Sequence, residues 1–129
     1  MKLNIFVLML AVLLLAGCKN EEPNFTRDIT TRFDKVFALH LEDKGYIPDA
    51  EMITPADVKN IKYLNVSAPL VRDLSYIGDL TSLAGIEYFS ALDTLYCYGN
   101  QLTELNLSKN KVLTVLGCGN NKLTSLNII

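Results

Sequence analysis

The chain has 129 residues, with 12 basic and 14 acidic side chains and a net charge of −2. That length holds one small domain at most. No basic stripe is present to serve a nucleic-acid partner, and the apolar residues are densest at the start, where they make up 14 of the first 17.

The N-terminus has one cation, Lys2, followed by an unbroken apolar run from Ile5 to Ala16. A bilayer core needs about 20 apolar residues to be spanned, so this run has signal-peptide rather than transmembrane length. It ends in Leu15-Ala16-Gly17-Cys18, which resembles the lipobox of bacterial lipoprotein signal peptides at all four positions. The resemblance implies cleavage after residue 17 and a lipid on the sulfur and amine of Cys18. No other cofactor is expected. Residues 18–25, beginning "CKNEEPNF", form a polar tether. Its lysine and paired glutamates are similar to short surface-export signals of some double-membraned bacteria.

Residues 26–60 are expected to form a helical cap. In "ITTRFDKVFALHLEDKG", Ile29, Phe33, Val36, Phe37, His40 and Leu41 recur at helical spacing. Thr30 or Thr31 can cap the start, and Gly45 is a stop. His40 sits beside the apolar stripe, where a packed, hydrogen-bonded histidine outweighs a ligand or base. Thr54, Pro55 and Asp57 then make a second helix start, with a hydroxyl cap, proline at the first position and a carboxylate at the third. Asp49, Glu51 and Asp57 lack the alternating acids and central glycine of a calcium loop. They read as solvated.

Residues 61–129 carry the strongest pattern. Leu92, Leu95, Cys97, Asn100, Leu102, Leu105 and Leu107 recur 21 positions later as Leu113, Leu116, Cys118, Asn121, Leu123, Leu126 and Ile128. Both copies fit L-x-x-L-x-L-x-x-N-x-L with cysteine at the third leucine, the leucine-rich repeat pattern. A looser copy starts at Ile61, with Leu64 and Val66 inward, 31 residues before the next. The intervening "VRDLSYIGDLTSLAGIEYFSAL" is either an irregular coil, with Val71, Leu74, Tyr76 and Asp79 in step, or an insertion. The insertion is preferred.

From about Phe33 onward, "ITPADVKNIKYLNVS", "LTSLAGIEYF" and "LYCYGNQLTELNLSKN" resemble bacterial internalin-like leucine-rich repeat proteins and surface lipoproteins. The resemblance implies an α/β repeat fold: a short solenoid, one parallel strand per coil, behind an N-terminal helical cap. It implies an outer-membrane lipoprotein, exposed at the surface or facing inward, and leaves the ligand open.

Within that fold Leu64, Val66, Leu95, Cys97, Leu116 and Cys118 point inward, since side chains alternate along a strand. Asn100 and Asn121 hold the bends through their amides. Cys97 and Cys118 lack the partners of a zinc site. Buried free thiols are the leading expectation, with a disulfide as the alternative. The outward residues are Tyr63, Asn65 and Ser67, then Thr94, Tyr96 and Tyr98, then Val115, Gly117 and Gly119. They make the concave face, the usual binding surface of this architecture. Tyr63, Asn65, Thr94, Tyr96 and Tyr98 are therefore the candidate contacts for a protein or glycan ligand. The competing reading is that the tyrosines only fill space.

No acid–base or nucleophile constellation surrounds His40, so no enzyme is expected. The final "LTSLNII" stops within a coil and offers no polar cap. The expected explanations are a truncated chain or pairing of the open end with another chain. The expected functions follow: a lipid-anchored binding module, or a structural, self-associating fragment without a dedicated ligand.

Overall fold

The computed structural model describes residues 27–69 and 78–128. The apolar leader, Cys18, the tether, and Val71, Leu74 and Tyr76 lie outside those residues.

The cap is built differently from the single long helix the spacing predicts. Thr30–Arg32 form one tight turn, the chain is extended at Phe33, and helix α1 runs Lys35–Asp43. Asp34 is the cap: its carboxylate accepts from the Phe37 backbone amide at 3.0 Å. An N-cap carboxylate satisfies a helix-end amide that would otherwise be orphaned. Thr30 is diverted elsewhere, its hydroxyl accepting from the Ile53 amide at 2.8 Å. The break at Phe33 lets its ring lie 6.0 Å from Phe37, 6.1 Å from Tyr88 and 6.3 Å from Phe89. Gly85 opposite has φ +103°, and a Cβ there would stand 2.5 Å from Phe33 Cγ. Only glycine fits both the backbone angle and that space.

Gly45 ends the region of α1 at φ +74°, as its position after the apolar stripe predicts. Helix α2, Pro55–Val58, opens with a reciprocal box. The Asp57 carboxylate accepts from the Thr54 amide at 2.8 Å and from its hydroxyl at 2.7 Å.

Five three-residue strands follow: β1 Tyr63–Asn65, β2 Thr94–Tyr96, β3 Glu104–Asn106, β4 Val115–Gly117 and β5 Ser125–Asn127. They form two parallel sheets, one ordered β1-β2-β4 and one pairing β3 with β5. The chain thus alternates between the sheets from β2 to β5. Leu95 pairs with Leu116 and Leu105 with Leu126, so both sheets use the 21-residue offset. Leu64 pairs directly with Leu95, so the residues between β1 and β2 place no strand between them. The second sheet goes beyond the one parallel strand per coil that the repeat pattern implies. "ELN" and "SLN" each carry a single apolar residue, too little for a two-residue alternation to register as strand.

Between the sheets lies one apolar core. Leu64, Val66, Leu95, Cys97 and Leu102 are fully buried, with Leu105 and Leu107 nearly so, and Phe37, Leu41 and Phe89 close the helical end. Leu116 and Cys118, expected to be buried, are only half-buried. No neighbouring strand covers β4 on its far side among the described residues.

The bends are held by amides. Asn100 Nδ2 donates to the carbonyls of Val66 (2.9 Å), Cys97 (3.2 Å) and Tyr98 (3.3 Å). Asn121 Nδ2 makes the equivalent bonds to Cys97 (2.9 Å), Cys118 (3.0 Å) and Gly119 (3.3 Å). Each asparagine therefore ties its own bend to the preceding strand. Asn110, which the sequence pattern did not single out, is fully buried on the other side. Its amide donates to Ile86 at 2.8 Å and Phe89 at 3.1 Å.

Candidate functional site

The outward residues of β1, β2 and β4 sit on one sheet face, fixed by the register Tyr63↔Thr94, Asn65↔Tyr96, Thr94↔Val115 and Tyr96↔Gly117. The ladder runs past the strand ends: Val66 N donates to Tyr96 O at 2.8 Å and Ala68 N to Tyr98 O at 2.9 Å. Cys97 N donates to Gly117 O at 2.8 Å and Gly99 N to Gly119 O at 3.1 Å. Tyr98 is thereby held over β4 although it lies beyond β2.

Three rings form a continuous strip. Tyr63 and Tyr96 meet edge-on with centroids 5.9 Å apart, and Tyr96 and Tyr98 lie 6.0 Å apart in nearly parallel planes (20°). Tyr98 covers Gly117, where a Cβ would stand 2.5 Å from Cζ, and Gly119, where it would stand 3.3 Å from Cδ1. The two glycines are the reason the Tyr98 ring can lie against the backbone of β4. Tyr63 is 50% exposed and Tyr98 38%, while Tyr96 between them is half-buried.

The polar groups divide into used and free. Asn65 Oδ1 accepts from the Ser67 amide at 3.1 Å, and Ser67 Oγ accepts from the Tyr98 amide at 3.0 Å. Those side chains shape the turn after β1. Tyr46, from the loop after α1, contributes a residue the sequence pattern missed: its hydroxyl accepts from the Asn65 amide at 3.1 Å. It caps a donor on the outer edge of β1. Among the described residues, the hydroxyls of Tyr63, Tyr96, Tyr98 and Thr94 have no hydrogen-bond partner. None of the nine outward residues is charged.

The other sequence candidates lie away from this strip. His40 Nε2 is 2.8 Å from Asp79 Oδ1, a pairing between residues 39 apart that no local pattern announces. Asp49 accepts from the Glu51 amide at 2.7 Å, which makes it a turn residue. Cys97 and Cys118 are free thiols, the first buried and the second half-buried. Burial, with a smaller contribution from neighbouring Cys118, pushes the Cys97 thiol up to about 12. Among the described residues no cluster of His, Cys, Asp or Glu is arranged to hold a metal. No helix there is long and apolar enough to cross a membrane.

Comparison with protein-family models gave no match, and comparison with curated proteins gave none either. The geometry of the strip therefore carries the functional reading by itself.

Proposed function

We propose that the chain is a bacterial lipoprotein of the leucine-rich repeat type, held on the outer membrane by a lipid on Cys18. In this reading its solenoid binds a protein or glycan at the cell surface, and the chain performs no catalysis. The 21-residue register in both sheets and the asparagine ladder support a repeat solenoid. Residues 26–60, with helices Lys35–Asp43 and Pro55–Val58, act as the cap on its first coil in this reading.

The observation that carries the binding role is the uncharged strip of Tyr63, Tyr96 and Tyr98 with unpaired hydroxyls. Exposed tyrosines with apolar bodies and polar tips are enriched at recognition surfaces. Tyrosine also loses little conformational freedom on contact. Two measurements test the reading together. Radiolabelled palmitate should enter the wild-type chain and not Cys18→Ser, and labelled chain should be captured on the cell envelope by a ligand. Capture that is unchanged by replacing Tyr96 and Tyr98 with alanine, with folding intact, rejects the strip. Palmitate labelling of Cys18→Ser equal to wild type rejects the anchor.

A second reading has its own support. Leu126 and Ile128, in and just after β5, are 45% and 56% exposed. Apolar area of that kind favours self-association through the last coil. A concentration-independent monomer by sedimentation rejects it.

A further inference from the structure

We infer that the strip takes a neutral oligosaccharide, stacked on the Tyr96 and Tyr98 rings. This rests on the concave face being the binding surface, and it names the class of ligand for that surface. Three observations argue for it.

The first is ring presentation. Tyr98 lies against Gly117 and Gly119 and is still 38% exposed. Tyr96 lies next to it with its ring nearly parallel, the planes at 20° and the centroids 6.0 Å apart. A flat, fixed aromatic surface suits the apolar C–H face of a pyranose, because dispersion and the negative ring face act over the whole contact. The ring is held by backbone contact, so little ordering cost remains for the bound state.

The second is polarity. Tyr63, Tyr96, Tyr98 and Thr94 present hydroxyls with no partner among the described residues, beside the stacking surface. Those groups both donate and accept, which matches the hydroxyl rim of a sugar. A peptide main chain would need unpaired backbone groups to add to, but the strip is a sheet face whose amides and carbonyls are used by the ladder.

The third is charge. The outward rows from Tyr63 to Gly119 contain no Lys, Arg, Asp or Glu. An acidic polysaccharide or charged peptide would find no counter-charge there, whereas a neutral chain has no charge to desolvate. Three neighbouring strands span about 10 Å, so the strip accommodates more than one sugar ring.

The test is electrophoresis of the full chain, purified in detergent, through gels containing mannan, β-glucan, xylan, galactan or dextran. A parallel gel carries acidic polygalacturonate. The chain has no tryptophan, so tyrosine fluorescence in solution reports the same event directly. At least one neutral polysaccharide should retard the chain and alter its tyrosine emission. Retardation should persist between about 0.05 and 0.5 M salt, since no charge pair is made. Replacing Tyr96 and Tyr98 with alanine should weaken binding at least about tenfold, the effect of losing one good contact. Tyr98→Phe keeps the stacking ring and guards against a misfolded double variant; it should weaken binding by a smaller factor. Tyr88→Phe, whose ring packs against Phe33 away from the strip, should leave binding unchanged.

No retardation by any neutral polysaccharide overturns the proposal, as does salt-sensitive retardation by polygalacturonate alone. Capture of a cell-surface protein that depends on Tyr96 and Tyr98, without polysaccharide binding, overturns the sugar assignment and leaves the concave-face reading standing. Polysaccharide binding that survives the alanine pair overturns the strip itself.

Discussion

The ring of Tyr98 occupies the space that a side chain on Gly117 would fill, although the two residues belong to different turns of the chain. A Cβ on Gly117 would stand 2.5 Å from Cζ and 2.5 Å from the hydroxyl oxygen of Tyr98. The aromatic strip thus depends on what is missing from β4 as much as on what β2 supplies.

Gly117→Ala should therefore lift the Tyr98 ring away from β4 and cost about 1 kcal/mol, the low end of forced overpacking because that ring can swing toward solvent. In a Tyr98→Ala background the same change should cost far less, because the clash is gone. A double-mutant cycle on chemical denaturation midpoints measures this coupling directly. Additive effects would show that the glycine is required for another reason.

Asn100 and Asn121 make parallel sets of bonds in different surroundings. Asn100 is 5% exposed, whereas Asn121 is half-buried. Asn100→Ala should cost about 1–3 kcal/mol, since three carbonyls lose a donor where water enters poorly. Asn121→Ala should cost less, with water replacing the amide. Equal losses in thermal unfolding would contradict the difference in burial.

Leu95→Ala should destabilise by about 2–5 kcal/mol, the cost of a cavity in a packed core. Leu126→Ala, its side chain 45% exposed, should stay within about 0.5 kcal/mol, as surface substitutions do. Denaturant titration of the two variants compares centre and end of the same stack.

The two thiols should separate in reactivity. In a Cys18→Ser background, Cys118 should alkylate first, and Cys97 only as the chain opens, because burial holds its thiol neutral up to about 12. The pH dependence follows from the direction of that shift. Above the ordinary thiol value of 9.0 the unfolded chain releases the Cys97 proton while the folded chain keeps it. Stability is thus intact below pH 9 and falls as pH rises from 9 toward 12. Cys97→Ala should show a shallower decline over that window in urea titrations.

Particular residues explain how far the sequence was legible. Leucines 21 apart announced the strand register, because parallel pairing in both sheets joins like with like. The asparagine bends were legible for the same reason, a side chain bonding its own turn. The start of α1 is not legible from spacing, because Thr30 and Asp34 are both good caps and only the ring contacts of Phe33 decide between them. Asn110, Tyr46 and the His40–Asp79 pair act through space across 19 to 39 residues. No periodicity carries such information. The five outward candidates were placed on one face by alternation alone, but the seat of Tyr98 on Gly117 and Gly119 required the stack.

The most direct test of the account is hydroxyl-radical footprinting of the tyrosines, with and without a bound neutral polysaccharide. The chain has six tyrosines, and Tyr88, packed against Phe33, lies off the strip as the internal control. Protection of Tyr63, Tyr96 and Tyr98 with Tyr88 unchanged is the predicted result. Unchanged modification of Tyr96 and Tyr98 at saturating ligand would contradict it.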